Sequence, residues 1–431
     1  MASTSDPPRR AFVWAWLPGR TEPVFVGAVE APPADAPRRG QSALPHRFAY
    51  SPSYLERPEA VSLFTGELPL RPGWQVPLDG MVMAGCLRDA SPDSWGQRVI
   101  IDRLLGLRGA GAQHIDLDDL VYLLESGSNR IGALDFQLSS TEYVPRETGA
   151  TLDELHRAAQ AMEDGTLTPE LAAALADGTA VGGARPKVLV AGDNGVQYIA
   201  KLSLSTDTFP IVKAEAAGME LARRVGVPVP DTRLVHSLGR DVLLVERFDR
   251  PGDGTRRQLL SALTLLGFSD FLGARWSSYP EFLDSLHRYA PAGTGSLGRA
   301  LLDRVILNIL IGNTDDHARN HAAFWDGRNL QLAPAYDVSP QARSGTQARQ
   351  AMDIGRAPSP DKQGPRWSNR STVVAAARDY GLAPAEVEEM FDRQVHIIED
   401  AWPEVVEVAE LTTNQAVALK GRQIVNAFAL E

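Results

Sequence analysis

Short apolar runs, continuous or alternating, characterise the first part of the chain. Phe12–Trp16 and Val24–Val29 are two such runs, and the stretch between them is rich in proline and glycine, which favour a turn. Val188–Ala191 and Val196–Leu204 are two more, separated by the sequence Gly-Asp-Asn-Gly, which is typical of a tight hairpin turn. The pattern therefore predicts two β-hairpins in the first half of the chain.

From about Leu259 onwards the apolar residues recur with the period of an amphipathic helix. Segments with this period are Ser261–Gly267, Glu281–Tyr289, Leu297–Ile311, Thr372–Tyr380, Pro384–Asp400 and Asn414–Ala427. A strand-rich part followed by a helix-rich part predicts an α+β fold with two lobes and a crevice between them. We place a β-rich unit at 1–150, a second unit at 151–252 and an all-helical lobe at 253–431.

Composition narrows the class of protein. The 431 residues are 44% hydrophobic and carry a net charge of −11, which is typical of a folded, acidic protein and not of a disordered chain. The single cysteine, Cys86, excludes an internal disulfide framework and a zinc site built from several cysteines. No apolar run reaches the ~18 residues of a membrane span. The first residues have no apolar signal core, so we expect a cytoplasmic protein without membrane association.

The most informative polar segment is Ile311–Asn320, which follows a strongly apolar predicted helix. Within it Asp315 and Asn320 have the spacing of the catalytic Asp and the metal-binding Asn of kinase catalytic loops. Asp337 follows after one further strand-like run. Phosphoryl transfer needs a carboxylate that receives the hydroxyl proton and oxygen ligands that hold Mg²⁺ on the phosphates of ATP. Asp315, Asn320 and Asp337 could supply these roles.

Alternatives remain open for this segment. Asp316 could replace Asp315 as the base on chemistry alone, although the spacing to Asn320 favours Asp315. The acidic residues could also be ordinary turn and loop residues, since short polar motifs recur by chance. His317 could contact phosphate or be a structural turn residue.

A second candidate group lies beside the second predicted hairpin. A glycine-rich turn allows the backbone to approach a ligand closely, and its members are Val181, Gly182, Gly183, Ala184, Arg185, Pro186 and Lys187. It is not a Walker A motif, and it could be a plain turn. Lys201 interrupts the next apolar strand. It is either a surface-facing residue or the lysine that holds nucleotide phosphates, with Glu215 of the following helix as its ion-pair partner.

A third candidate group ends the strand-like run at 241–245. Its residues are Glu246, Arg247, Phe248 and Asp249. Backbone groups of this segment could contact adenine, and Asp249 could bind ribose. The alternative is a strand end with an exposed salt bridge.

Six short motifs in one order resemble a known family. They are Pro92-Asp-Ser-Trp-Gly, Asn129-Arg-Ile-Gly-Ala-Leu, Val181–Lys187, Val245-Glu-Arg-Phe-Asp-Arg, Asn313–Asn320 and Ala335-Tyr-Asp-Val. Together they make the chain similar to the HipA-type toxin kinases of bacterial type II toxin–antitoxin systems. The similarity runs through most of the chain, and the combination is specific although no single motif is.

The resemblance implies a two-lobed fold related to protein kinases and phosphoinositide kinases, with a β-rich N-terminal lobe and an all-helical C-terminal lobe. Residues 1–150 would form the family's N-terminal subdomain, 151–252 the nucleotide-binding part of the N-lobe, and 253–431 the C-terminal kinase lobe. It implies Mg-ATP-dependent phosphorylation of serine or threonine, characteristically in an aminoacyl-tRNA synthetase, which halts translation and growth. It also implies a HipB-like helix-turn-helix antitoxin, through which the complex would mainly contact operator DNA.

Matched motif by motif, the resemblance also implies roles for individual residues. Asp315 would be the catalytic base, Asn320 and Asp337 the Mg²⁺ ligands, and Lys201 the phosphate-holding lysine. The glycine-rich turn would form the phosphate loop, and Glu246 to Phe248 the hinge that contacts adenine.

The chain departs from the family at one position. The family commonly has an autophosphorylated serine immediately before the phosphate loop, and this chain has Ala180 there, which carries no hydroxyl group. In the family, phosphorylation of that serine ejects the loop and inactivates the kinase. Either the chain has been substituted at Ala180 or the natural protein lacks this control. Thr179 is a weak substitute because it is displaced by one residue.

Two other functions remain open. A small-molecule kinase similar to aminoglycoside phosphotransferases has a related Asp-x4-Asn arrangement and would phosphorylate a small alcohol, but the N-terminal motifs argue against it. A nucleotide-binding, inactive scaffold that acts as a corepressor would bind ATP without turnover. The presence of Asp315, Asn320, Asp337 and Lys201 argues against that function.

Overall fold

The computed structural model describes residues 8–33, 44–78, 80–107, 115, 117–147, 149–176, 185–192, 195–291, 293–343, 345, 347–359 and 362–431. Its strands are β1 (Arg10–Trp16), β2 (Pro23–Glu30), β3 (Arg47–Tyr50), β4 (Leu134–Gln137), β5 (Lys187–Ala191), β6 (Gln197–Leu202), β7 (Thr232–Ser237), β8 (Arg240–Glu246), β9 (Gln258–Ser261), β10 (Ala322–Trp325) and β11 (Leu330–Leu332). Its helices are α1 (Pro52–Leu55), α2 (Gly85–Arg88), α3 (Ser94–Leu105), α4 (Asp119–Glu125), α5 (Leu152–Glu163), α6 (Pro169–Ala176), α7 (Ile211–Val225), α8 (Ala262–Leu265), α9 (Asp270–Trp276), α10 (Tyr279–Arg288), α11 (Leu297–Ile311), α12 (Arg370–Ala375), α13 (Pro384–Val408) and α14 (Thr413–Arg422). This mixture of helix and sheet confirms the predicted α+β class. None of the described helices is long and apolar enough to cross a bilayer.

The first four strands form an antiparallel sheet in the order β3-β2-β1-β4. Strands β1 and β2 are the first predicted hairpin, which is confirmed. Trp14 and Phe25 are paired across it with ring centroids 5.9 Å apart, a distance at which aromatic pairs stabilise a sheet. Val13, Val26 and Phe136 are fully buried, so this sheet contributes one face to the main hydrophobic core.

A second antiparallel sheet has the order β5-β6-β8-β7, and α7 packs against it. The predicted β5–β6 hairpin is confirmed, although residues 193 and 194 of its turn lie outside the described residues. Side chains alternate along β6, so that Ala200 and Leu202 are buried on one face. Lys201 lies between them and therefore projects from the other face.

A third sheet, in the order β11-β10-β9, lies in the region predicted to be all-helical. That prediction is wrong for these segments. Each strand has only three or four residues, too few to show a period, and β10 is buried at every position. Its apolar run therefore fits a helix and a strand equally well. The strand forms because Ala322 pairs with Ser261 and Phe324 with Leu259, a long-range contact that local pattern does not encode.

Helix α11 presents the segment that follows it from a rigid base. It is apolar on nearly all sides and is buried against α7, α10 and α13. It ends at Gly312, whose φ of 70° is left-handed and whose N–H bonds back to the carbonyl groups of Asn308 and Ile309. The polar residues after Gly312 therefore leave the core in a defined direction.

Helix α7 approaches the segment after β11 most closely at Gly218. A Cβ atom at this position would overlap the main-chain carbonyl group of Val338. Only glycine permits this approach, because it has no side chain. Since Val338 directly follows Asp337, the contact fixes where Asp337 lies.

Replacement of Gly218 by alanine should destabilise the protein. We expect the free energy of unfolding, measured by urea denaturation, to fall by about 1–3 kcal/mol, because the methyl group forces α7 and the Val338 carbonyl group apart. Gly421→Ala is the matched control. Gly421 lies in α14 with open space around it, so alanine should leave the free energy of unfolding unchanged or raise it by up to about 1 kcal/mol. Equal effects of the two substitutions would contradict the close approach.

Candidate active site

The segment that follows α11 is bound to the segment that contains Asp337. Asn313 Nδ2 donates to Oδ1 of Asn308 (3.0 Å) and to the main-chain oxygen of Asp337 (3.4 Å). Tyr336 Oη donates to the main-chain oxygen of Arg319 (2.7 Å). These bonds bring the two predicted motifs into one site.

Asp315 and Asp316 have opposite environments. Asp316 is buried, and its Oδ2 accepts hydrogen bonds from Tyr279 Oη (2.6 Å), Asn308 Nδ2 (2.7 Å) and His321 Nε2 (2.9 Å). Burial acts to raise the pKa of Asp316, but His321 and Tyr279 hold it below its ordinary value. Asp315 is exposed, and no described residue donates a hydrogen bond to its carboxylate. Of the two, Asp315 is therefore the one that a substrate hydroxyl group can reach.

Asn320 and His317 both bond to the backbone of Asp315. Asn320 Nδ2 donates to the main-chain oxygen of Asp315 (3.0 Å), so the amide Oδ1 is the atom that remains to bind a cation. The main-chain N–H of His317 donates to the same oxygen (2.9 Å). Its buried Nδ1 has no hydrogen-bond partner among the described residues. Both residues thus shape the turn that carries Asp315.

Two lysines lie directly opposite each other in the second sheet. Lys187 of β5 pairs with Lys201 of β6, and such like charges destabilise a sheet unless they are compensated. Lys201 Nζ contacts Glu215 Oε1 and Asp337 Oδ1, and Lys187 Nζ lies 3.4 Å from Asp337 Oδ2. The predicted partner of Lys201, Glu215, is therefore confirmed. The surface-facing alternative is wrong, because the Lys201 side chain is only 12% exposed.

The protonation states in this cluster depend on one another. Burial acts to lower the pKa of Lys201, but Asp337 and Glu215 hold it above its ordinary value. Burial acts to raise the pKa of Asp337, but Lys187 and Lys201 hold it well below its ordinary value. Burial raises the pKa of Glu215, against the opposing effect of Lys201. Asp337 is therefore ionised at neutral pH, with its charge balanced by two ammonium groups.

Asp337 also has an unusual backbone conformation. Its φ of 53° is left-handed, which is uncommon for a residue other than glycine. Such a conformation persists only where surrounding contacts impose it. Here the contacts are the two lysines on its carboxylate, the Asn313 bond to its main-chain oxygen, and the approach of Gly218 to the next residue.

The donor set fits a magnesium ion together with a polyphosphate. Asp337 and Asn320 offer a carboxylate and an amide oxygen, which are hard ligands of the kind that Mg²⁺ prefers. Lys187 and Lys201 offer ammonium groups of the kind that bind phosphate oxygens. Both lysines already lie against Asp337, so the place beside its carboxylate suits positive charge.

Only the end of the predicted phosphate loop is described. Outside the described residues lie Thr179, Ala180, Val181, Gly182, Gly183 and Ala184. Arg185 forms an ion pair with Asp207, and the main-chain oxygen of the buried Pro186 accepts the N–H of Leu202 (3.2 Å). These contacts anchor the end of the loop next to Lys187.

Two of the sequence motifs bind each other in the structure. Arg247 Nη2 donates to the main-chain oxygen of Arg130 (2.6 Å) and to Asp249 Oδ2 (2.7 Å). The same Asp249 oxygen accepts the N–H of Gly132 (2.8 Å) and Arg250 Nη1 (2.9 Å). This network joins the N-terminal sheet to the second sheet at the end of β8.

The expected ribose contact of Asp249 is contradicted by this network. Its side chain is 4% exposed, and its other oxygen accepts a hydrogen bond from Arg247 Nε (3.0 Å). Burial acts to raise the pKa of Asp249, but Arg247 and Arg250 hold it well below its ordinary value. The carboxylate is therefore fully used within the protein. The alternative of an exposed salt bridge is wrong for the same reason.

The expected adenine hinge is also partly used within the protein. The N–H groups of Glu246 and Arg247 donate to the main-chain oxygens of Asp231 and Gln197 (both 2.8 Å), so neither can donate to adenine. Phe248 is half-buried, and its ring packs against Tyr336, with centroids 5.9 Å apart. Phe248 thus contacts the residue before Asp337 and is the member of this segment best placed to act at the site.

Sequence reasoning missed the residues that support Asp316. Tyr279 begins α10, His321 directly precedes β10, and neither lies in a recognisable motif. Asn308 is the one detectable signal, because it is an amide within the apolar run of α11 and a buried amide needs partners.

Comparisons with known proteins give a family and a fold. The family model described as the HipA-like C-terminal domain matches residues 179–402, just over half of the chain. Y4mE of Sinorhizobium fredii (strain NBRC 101917 / NGR234), a protein named as a kinase, is 28% identical over 150 residues. The match covers 33% of this chain and 36% of Y4mE, so the chain spans about a third of that relative. A chain in the structure of the Shewanella oneidensis MR-1 toxin–antitoxin complex of HipA, HipB and operator DNA has a similar fold. The TM-score is 0.62 at 19% identity, over 94% of this chain and 96% of that chain.

Replacement of Asp249 by alanine should destabilise the protein. We expect the free energy of unfolding in urea to fall by about 3–5 kcal/mol, because two buried arginines and the Gly132 N–H lose their partner. Asp231→Ala is the control, since that side chain is 85% exposed, and the change should stay within about 0.5 kcal/mol. Wild-type stability of Asp249→Ala combined with weaker ATP binding would restore the ribose role.

Proposed function

We propose, from the premise that the chain belongs to the HipA-like C-terminal domain family, that it is a cytoplasmic kinase that transfers the γ-phosphate of ATP to a serine or threonine of a protein. We infer that the substrate protein is an aminoacyl-tRNA synthetase, whose phosphorylation halts translation and growth. A HipB-like helix-turn-helix antitoxin would neutralise the kinase and make most of the contact with operator DNA. The kinase name of one relative and the fold shared with a HipA–HipB–DNA complex support this proposal.

One observation carries the proposal. Lys187, Lys201 and Asp337 form a cluster of partly buried charges, and a hydrogen bond from Asn313 links Asp337 to the turn with the exposed Asp315. Two cations that could bind phosphate, a carboxylate that could bind a metal and an exposed carboxylate that could act as a base thus lie on linked segments.

The chemistry follows from the position of each group. Asp315 is the residue that accepts the proton of the substrate hydroxyl group, which general base catalysis requires. Asp337 and the Oδ1 atom of Asn320 would hold Mg²⁺. Lys201, oriented by Glu215, and Lys187 would bind phosphate oxygens. Bound Mg-ATP supplies the phosphoryl group and the cation that offsets its charge.

The lysine contacts of Asp337 suggest how the site accepts its cofactor. Without a cation, Asp337 is neutralised by Lys187 and Lys201. If Asp337 held a cation instead, both ammonium groups would be available to bind phosphate oxygens. Metal and nucleotide binding should therefore reinforce each other.

Isosteric replacement of the proposed base should abolish phosphoryl transfer without unfolding the protein. We expect Asp315→Asn to lower the rate of γ-phosphate transfer from Mg-ATP to a purified synthetase panel by about 10²–10⁴-fold, measured by intact mass and phosphopeptide mapping. The matched control is Asp231→Asn, which changes an exposed carboxylate in the same way and should keep wild-type activity. If the wild type binds ATP and phosphorylates no protein, the inactive scaffold is the better function; transfer to a small alcohol alone would favour the small-molecule kinase.

Expression of the chain without an antitoxin should arrest bacterial growth. Asp337→Ala should relieve the arrest, because the carboxylate that would bind the metal is lost. The wild type and the variant are compared at equal soluble abundance. Normal growth with abundant, soluble wild-type protein would exclude the toxin function while leaving the kinase activity to be judged by its own assay.

A further inference from the structure

A cavity of about 760 Å³ is lined by none of the residues of the proposed phosphotransfer site. It opens where the N-terminal sheet meets the segment Thr255–Gln258 and the strands β10 and β11. Its walls include the apolar side chains of Trp16, Leu63, Trp325 and Leu332. The volume is in the range of pockets that bind small molecules.

Two arginines are held on aromatic walls of this cavity. The guanidinium carbon of Arg256 lies 3.4 Å from the centroid of the Trp16 ring, and that of Arg257 lies 3.3 Å from the centroid of Phe324. Arg257 also donates to Gln331 Oε1 (2.9 Å). These contacts hold both cations at the cavity. Arg256 Nη2 lies 3.9 Å from Oε1 of the exposed Glu147, whereas Arg257 forms no ion pair with a described carboxylate.

A third arginine, Arg304 of α11, lines the same cavity and is only 4% exposed. It donates one hydrogen bond, to the main-chain oxygen of Ala333, and its Nε–H has no partner among the described residues. It forms no ion pair with a described carboxylate, although a buried guanidinium without one is costly. Burial lowers the pKa of Arg304 to about 10 against the opposing effect of the nearby Asp316, so the group is still charged at neutral pH.

The cavity contains little negative charge to balance these arginines. Asp326 is the acidic residue among the described lining residues, and it is exposed. Its Oδ1 accepts the N–H groups of Arg328 (2.8 Å) and Asn329 (2.7 Å) in its own turn. The interior therefore combines apolar walls with an excess of cations.

We propose that this cavity binds a small organic anion, with a carboxylate or sulfonate on Arg304 and an aromatic or aliphatic body against the apolar walls that include Leu63 and Leu332. Arginine pairs with such oxyanions through paired N–H donors, and the ligand would supply the partner that Arg304 lacks. The ligand would also lie beside Ala333, at the end of the strand that leads to Asp337. The proposal does not depend on the kinase function.

The test compares two fluorescent probes on the full chain. The anionic probe is 8-anilinonaphthalene-1-sulfonate, and the neutral one is N-phenyl-1-naphthylamine, which has the same rings without the sulfonate. We expect one site, which binds the anionic probe at least tenfold more tightly than the neutral probe. Arg304→Met should lower the affinity for the anionic probe at least tenfold and leave the affinity for the neutral probe unchanged. Arg299→Met, on the exposed side of the same helix, should change neither affinity.

A third variant locates the probe in the cavity. Ala300 is an exposed lining residue, so Ala300→Trp should fold and should block both probes. If Arg304→Met does not fold, Arg257→Met gives the same comparison between the probes. The proposal is overturned if Ala300→Trp binds the anionic probe like the wild type, or if the folded arginine variant binds it with wild-type affinity.

Discussion

The ion cluster of Lys187, Lys201, Glu215 and Asp337 is the interaction on which the site depends. Lys201 and Asp337 lie 136 positions apart, so their contact joins the second sheet to the segment after β11, and Glu215 adds α7 to the same group. Each charge is at least partly buried and is balanced by the others, so removal of one leaves an uncompensated charge in a poorly solvated place. The cluster therefore specifies both the geometry of the site and the association of its segments.

Close packing also fixes the position of Asp337. Gly218 allows α7 to touch the backbone after Asp337, and Asn313 binds the Asp337 carbonyl from the end of α11. Asp337 keeps a left-handed backbone under these constraints. The exposed Asp315 is presented from the same rigid helix end, so the proposed base and the proposed metal ligand are positioned by one part of the core.

The Arg247–Asp249 network links parts of the protein, whereas its sequence motif was expected to contact ATP. It binds the N-terminal motif at Arg130 and Gly132, and so ties the N-terminal sheet to the end of β8. The cavity with Arg304 lies where the same N-terminal sheet meets β10 and β11. Contacts between the N-terminal unit and the core thus create a structural network and a separate candidate ligand site.

Much of the local structure follows from the sequence alone. The two hairpins, the first turn of α13 at Pro384 and the polar segment after α11 are encoded by turn residues and apolar periods within a few positions. The spacing of Asp315 and Asn320 is also a local property, and it predicts the phosphoryl-transfer chemistry that we propose. The pairing of Lys201 with Glu215 was accessible because strand and helix are neighbours in sequence.

The remaining features were decided by tertiary structure. Local pattern cannot separate Asp315 from Asp316, because the burial of Asp316 depends on Tyr279 and His321 from distant segments. It cannot reveal that Asp249 is enclosed, since its partner Gly132 lies 117 positions away. The short third sheet likewise forms only when β9 and β10 meet. The sequence by itself determined which reactive groups the protein carries, because side-chain chemistry and short-range spacing are local properties. Only the tertiary structure decided which of them face a ligand, because burial and ion pairing arise between segments far apart in the chain.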